Sequence, residues 1–181
     1  MIIGRKIVHY PEIDSTSDEA RRLVKLGERE GLVIVADRQT GGRGKPGSGW
    51  FSPEGNLYFS TLLKPYRNPP ALAPITLFSA LAARSALSRL VDLPIMIKWP
   101  NDLLVRGRKI AGVLVEGMGG YLIVGIGINV NMSEETLPME LRGKATSLIM
   151  ETGTSHDLKR LSRLLIKELN DYYSMFLGGD K

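Results

Sequence analysis

Apolar positions along the chain fall into two rhythms. Lys6 to Tyr10 (KIVHY) patterns as a short strand, and Leu32 to Ala36 (LVIVA) is a continuous β-branched run, the mark of a buried strand. Asn56 to Leu63 (NLYFSTLL) predicts another strand, and Ile95 to Trp99 (IMIKW) one that ends at Pro100. Ile110 to Glu116 and Tyr121 to Ile128 pattern as a hairpin turned at Gly117 to Gly120. The other rhythm is helical. Asp14-Ser15-Thr16-Ser17-Asp18-Glu19 has the small oxygen-bearing side chains and first-turn acids of a helix start. Ala20, Leu23 and Val24 follow at helical spacing, with Gly27 or Gly31 as the stop. After a proline-rich link (Lys64 to Pro70), Ile75, Phe78, Leu81 and Ala82 mark a second helix with Pro74 near its start. A polar, irregular segment then precedes a last amphipathic helix carrying Leu158, Leu161, Leu165, Leu169, Tyr172 and Phe176. This order predicts an α+β fold: a mixed, mostly antiparallel sheet with helices packed on one face.

Composition narrows the chemistry. At 181 residues and 43% hydrophobic, the chain is long enough for one domain with a real core. It has no cysteine, which excludes a disulfide framework, Cys-ligated zinc and a thiol nucleophile. The two histidines, His9 and His156, form neither a metal-ligand spacing nor a catalytic triad, so no protein metal site is expected. Net charge is +5 without a basic tail, and no apolar stretch is long enough to span a membrane. The basic bias could serve a nucleic acid, a nucleotide or an acidic protein partner, and the reading is a soluble, cytoplasmic protein that binds no membrane.

The stretch QTGGRGKPGSGW (Gln39 to Trp50) is neither regular helix nor strand in pattern. It contains a literal G-x-G-x-x-G at Gly42 to Gly47. The dinucleotide fingerprint needs a helix to open there and an acid about 20 residues on. Pro46, Gly47 and Gly49 forbid the helix, and Leu62 and Leu63 stand where the acid belongs. A Walker A loop fails because Gln39 replaces its first glycine and Pro46 its Ser or Thr. What remains is a surface connection with incidental cations, or a clamp whose N–H groups, Arg43 and Lys45 close over an anion.

Three more clusters carry polar chemistry. Lys98-Trp99-Pro100-Asn101-Asp102 ends a strand, where it is either a tight turn or a site able to neutralise an anion and orient an amine. Arg106, Arg108 and Lys109 crowd a turn. Gly125 and Gly127 lie inside a strand, where glycine marks close approach of a ligand or another backbone, and Asn129 follows with a donor and an acceptor suited to an adenine edge.

Taken together, these segments resemble the catalytic domain of biotin–protein ligases, the biotin–[acetyl-CoA carboxylase] ligases with a class II synthetase-like fold. The resemblance runs from Asp14-Ser15-Thr16-Ser17 to the last helix. It includes Gln39, GGRGKPGSGW, FSPEGNLYFS, KWPND, RKIAGVLVEG, GIGINVN and ATSL, in family order.

The resemblance implies an enzyme that joins biotin and ATP into biotinyl-5′-AMP and then transfers biotin to a lysine of a biotin carboxyl carrier protein. It implies Lys109, Asp102, Arg43 and Lys45 as catalytic. Ser15, Thr16, Gln39, Gly42, Arg43, Gly112 and Trp50 are implied for biotin. Arg43, Lys45, Trp50, Lys98, Asn101, Lys109 and Asn129 are implied for ATP and the adenylate. Trp50 and Trp99 would pack against ligand or loop, and Mg²⁺ would accompany ATP. A homodimer paired through sheet edges belongs to the same expectation. So does a single catalytic domain over residues 1–181, without the family's N-terminal winged helix or C-terminal β-barrel. The loop departs from the family spelling GRGRxGR: Lys45 and Ser48 stand in place of arginines, so a looser hold on the adenylate is expected. The alternatives are a biotin-binding relative that adenylates without transfer or does not catalyse, a lipoate or octanoate transferase, and a basic nucleic-acid binder; the last has only the net charge behind it, so no nucleic-acid partner is expected. The absence of the transferase's glycine motif and the presence of KWPND disfavour that enzyme.

Overall fold

Leu32 and Ile34 point to one side of strand β2 (Leu32–Gln39) and Val33 to the other, and that alternation explains where the helices lie. The structure is a computed structural model that describes residues 1–45, 47–65 and 72–178. The other strands are β1 (Lys6–Ile13), β3 (Leu57–Leu63), β4 (Ile95–Lys98), β5 (Asp102–Val105), β6 (Arg108–Met118) and β7 (Tyr121–Ile128). They form one sheet in the order β1-β2-β3-β7-β6-β5-β4. Only β1 and β2 pair in parallel; every other neighbouring pair is antiparallel.

Helices α2 (Leu72–Ser88) and α4 (Leu158–Gly178) cover one face. Beneath them Val33, Leu57, Phe59, Leu63, Val124 and Ile126 meet Ile75, Phe78, Leu161, Leu165 and Tyr173. Helix α1 (Thr16–Lys25) corrects the expectation that all helices share a face. It lies on the opposite side, where Ala20 packs with Leu32, Ile34, Leu62 and Ile123. Strand β3 is therefore buried along its whole length. Ser15 caps α1, its hydroxyl accepting from the Asp18 amide at 3.4 Å. Gly27 follows the helix in the left-handed region at φ +91°.

Two elements differ from expectation. Strand β5 occupies Asp102–Val105, where the sequence pattern predicts no element and only Asp102 falls in a possible turn. The irregular segment before the last helix holds a short helix α3 (Leu148–Thr152), capped by Ser147 and ended by Gly153 at φ +73°. Most of the proline-rich link expected at Lys64 to Pro70, and Pro46 in the glycine loop, lie outside the described residues. Among the described residues no helix is long and apolar enough to cross a membrane.

Candidate active site

The parallel pairing of β1 and β2 continues to Ile13↔Gln39, so the start of α1 and the start of the glycine loop emerge side by side. The Gly41 amide donates to the Asp14 carbonyl at 2.8 Å. The loop itself is a small hairpin. Arg43 pairs with Gly49, the Trp50 amide donates to Gly42 O at 2.9 Å, and Gly44 N donates to Ser48 O at 3.1 Å. Ser48 Oγ closes the turn by donating to the Lys45 carbonyl at 2.8 Å, so the residue standing for a family arginine serves the loop's own shape. Gly42 is needed at the base, because a Cβ there would collide with the Trp50 carbonyl and the Ser52 hydroxyl.

Beneath the loop runs a chain of hydrogen-bonded polar side chains. Gln39 Oε1 accepts from the Thr16 amide at 2.8 Å and from its hydroxyl at 3.1 Å, while Gln39 Nε2 donates to Ser52 Oγ at 2.9 Å. Ser60 Oγ donates to Thr16 Oγ1 at 2.8 Å and lies 3.1 Å from Ser17 Oγ. Ser15, Thr16, Ser17, Ser52 and Ser60 are all buried, so these partners fix hydroxyl positions that would otherwise lose hydration at a cost. Tyr58 lines the same pocket; burial pushes its phenol well above its ordinary pKa.

The opposite wall brings together Lys109 and Asp102 through a local irregularity. The β5–β6 register runs Asp102↔Gly112, Leu103↔Ala111 and then Leu104↔Lys109, leaving Ile110 as an extra residue. Ile110 and Ala111 both enter the core under α2, and Lys109 returns to the face that carries Gly112. Without the bulge, simple alternation would turn Lys109 toward the core. Lys109 Nζ lies 2.8 Å from Asp102 Oδ1 and 4.9 Å from the centre of the Trp50 ring. Trp50 lies across a floor of glycines from neighbouring strands. A Cβ at Gly127 would approach its indole to 2.5 Å, and one at Gly112 to 2.9 Å. Gly125, one alternation back, admits Ser17 of α1, whose hydroxyl would stand 2.7 Å from a Cβ.

Lys109 also faces a second cleft, with Gly49, Trp50, Phe51, Asn129, Met132, Leu137, Leu141 and Ala145 around it. Its walls are largely apolar. Asn129 is buried there, with Nδ2 donating to the Thr146 carbonyl at 3.0 Å. The backbone of Lys109 is held from this side as well: its amide donates to Lys144 O at 2.8 Å, and its carbonyl accepts from Thr146 N at 2.9 Å.

The structure thus gathers Ser15, Thr16, Gln39, Arg43, Lys45, Trp50, Asn101, Asp102, Lys109 and Gly112 around one pocket, with Asn129 in the adjoining cleft. Three sequence-predicted residues lie apart from that pocket. Lys98 is exposed and outside its lining. Gly42 belongs to the loop base. Trp99 does not pack on loop or ligand space; it is 74% exposed. The Arg43 guanidinium is engaged outward by Asp18 and Glu116. Asn101 is buried, its Nδ2 donating to the Val113 carbonyl at 3.0 Å, and its Oδ1 has no partner among the described residues. Sequence reasoning missed Ser17, Ser52, Tyr58 and Ser60. The one available signal was Ser60 and Thr61, two hydroxyls inside an otherwise apolar strand.

The fold and the site define a class, and comparison with known proteins agrees with it. Residues 11–133 match the model of the Biotin/lipoate A/B protein ligase family, and the chain belongs to that family. It is 35% identical over 162 residues to the bifunctional ligase/repressor BirA of Bacillus subtilis, covering 86% of this chain and 50% of that protein. It is 31% identical over 160 residues to a biotin–[acetyl-CoA-carboxylase] ligase of Mycobacterium tuberculosis, covering 86% and 59%. The chain thus spans about half the length of the curated relatives it matches. A biotin protein ligase from Aquifex aeolicus, solved in complex with biotin and ATP, superposes with a TM-score of 0.87 at 38% identity, covering 96% of this chain and 72% of that one.

Proposed function

We propose that this domain carries out biotin–protein ligation. Biotin's carboxylate oxygen attacks the α-phosphorus of ATP, pyrophosphate leaves, and biotinyl-5′-AMP remains in the pocket. The amine of an acceptor lysine, on a biotin carboxyl carrier protein, then attacks the mixed-anhydride carbonyl, and AMP leaves. The observation that carries this reading is Lys109, a cation at the junction of a polar pocket and an apolar cleft. A carboxylate and an α-phosphate must meet at such a junction, and a preorganised cation offsets their repulsion most where transition-state charge collects.

In this reading Ser15, Thr16 and Gln39 present their network to the biotin ring, and Trp50 and Gly112 flank its chain. Asn129 and the apolar walls receive adenine. Asp102, ion-paired with Lys109, accepts the proton of the acceptor amine in the second step. Asn101 and Lys45 lie on the phosphate side. Mg²⁺ enters as the Mg·ATP substrate. The A. aeolicus neighbour was solved with both biotin and ATP, which supports this pair of substrates. The chemistry belongs in the cytoplasm, where ATP and carboxylase acceptors are found together.

The test mixes the protein with biotin, Mg·ATP and a biotin carrier domain, reads labelling by streptavidin blot, and reads the first step by biotin-dependent pyrophosphate exchange. Both signals are expected. Lys109→Ala should lower exchange by about 100-fold or more, the scale of losing a preorganised transition-state donor. Exchange without labelling would leave adenylation alone, and lipoate replacing biotin as the better substrate would move the chain to the other branch of its family.

A further inference from the structure

Arg43 stands on the loop that borders the pocket, yet its guanidinium reaches away from it. Nη1 lies 2.6 Å from Asp18 Oδ1 on α1, and Nη2 lies 2.7 Å from Glu116 Oε1 on β6. Arg21, one helical turn after Asp18, donates to the same Asp18 oxygen at 2.7 Å and is ion-paired with the same Glu116 oxygen at 2.6 Å. Two guanidinium groups and two carboxylates therefore alternate in a closed ring of zero net charge that joins α1, the loop and β6. Glu116 comes to this side because, two and four residues on from Leu114 and Gly112, it shares with these pocket-lining residues one face of β6.

A lone exposed ion pair contributes little, but this is a network of three charge-assisted hydrogen bonds and one further ion pair, linking the exposed Arg43 to three partly buried groups. The second oxygen of Glu116 is buried without a partner among the described residues, so the carboxylate depends on the guanidinium groups at the first. To grip a phosphate, Arg43 would have to abandon both carboxylates. The neighbouring Ser48 and Lys45 provide no substitute anchor: Ser48 is bound within the turn, and Lys45 is exposed.

We propose that Arg43 is a positioning residue whose work is to latch the loop: Asp18 and Glu116, aligned by Arg21, anchor it and hold the loop over the site before any ligand arrives. The proposal rests on the ligase reading for what the loop covers, but not for the latch itself. In this family member the loop is closed by contacts outside the pocket, and the phosphate charge is left chiefly to Lys109.

Hydrogen exchange over residues 42–49 of the free protein tests it directly. Asp18→Asn, Glu116→Gln and Arg43→Ala should each raise exchange about tenfold, the scale of losing one hydrogen bond to a charged group. Asp18→Glu, which keeps the charge, should restore protection, and high salt should open the wild-type loop but change the three variants little. In single-turnover assays the same three variants should release adenylate about tenfold faster, with the rate of its formation at saturating biotin and ATP changed less. The latch is overturned if Asp18→Asn and Glu116→Gln keep the loop protected. It is equally overturned if, by freeing Arg43, they speed adenylation while Arg43→Ala slows it. Were the wild type to show no adenylation at all, the ligase reading would fall, and the exchange experiment would still decide the latch.

Discussion

Single residues at this site hold their positions through partners that lie far off in sequence. Gln39 is bound at both ends of its carboxamide, by Thr16 and by Ser52, and so cannot rotate freely to meet a ligand. Asp14, next to the buried Ser15, is held by both terminal nitrogens of Arg22 at 2.6 and 3.0 Å. Those bonds, ahead of a smaller contribution from the Ser15 amide, keep its carboxyl below the ordinary range. A carboxyl whose folded pKa is depressed contributes stability above its unfolded value, and loses it as pH falls through the folded value. The wild type should therefore lose stability more steeply than Asp14→Asn as pH drops below about 4. The pair is half exposed, so the difference should be small, about 0.5 kcal/mol or less, read from denaturant midpoints at pH 6 and pH 3.

Elements decide which of these residues meet. The bulge at Ile110 turns Lys109 toward Asp102, and the neighbouring Arg108 is fastened in turn by Glu151 of α3. Glu151 has a fully buried side chain. It accepts from Arg108 at 2.6 Å, from Thr146 at 2.7 Å and from Arg106 at 3.1 Å. Removing a buried carboxylate that three donors share leaves those donors stranded. Glu151→Ala should thus cost about 3 kcal/mol in urea unfolding, with adenylation falling alongside as the Lys109 strand loosens. A cost below about 1 kcal/mol would show that the two arginines find water instead.

Across the whole molecule, the site lies where the sheet has no helix above it. Helices α2 and α4 cover one face across β3, β7, β6, β5 and β4, while α1 covers only the β2, β3 and β7 part of the other. The uncovered part is paved by Gly112 and Gly127, walled by the glycine loop, and edged by Lys109 and Asp102. A ligand binding there bridges α1, the loop and β6, and should stabilise the folded state as a unit. At a concentration 100-fold above its Kd, biotin should add about 2.7 kcal/mol to unfolding, seen as a thermal shift that lipoate at the same concentration does not reproduce. The absence of any biotin shift would remove the pocket assignment.

Legibility differed across these scales for physical reasons. Strands with continuous β-branched runs and helices with a clear apolar stripe announce themselves, because burial on one face imposes their period. The mixed antiparallel sheet, the Ser15 cap, the last helix, and the clustering of Lys109, Asp102, Gln39 and Gly112 were legible in that way or through the family resemblance. Strand β5 was not: four residues after Pro100-Asn101 are too few to show alternation, and only pairing with β4 and β6 makes them a strand. The position of α1 was not legible either, since β2 and β3 are apolar on both faces and offer a helix either side.

By itself, then, the sequence determined the secondary structure of the long segments, the family, and the residue types that bear the chemistry, because these depend on local period and on spacing along the chain. Tertiary structure alone decided that Trp50 lies on Gly112 and Gly127, that Trp99 faces solvent, and that a single extra residue aims Lys109 at Asp102. It alone decided that Arg43 turns outward to Asp18 and Glu116. Each of those outcomes depends on register and on contacts between segments far apart along the chain, such as Trp50 with Gly127 or Arg43 with Glu116, which no local pattern encodes.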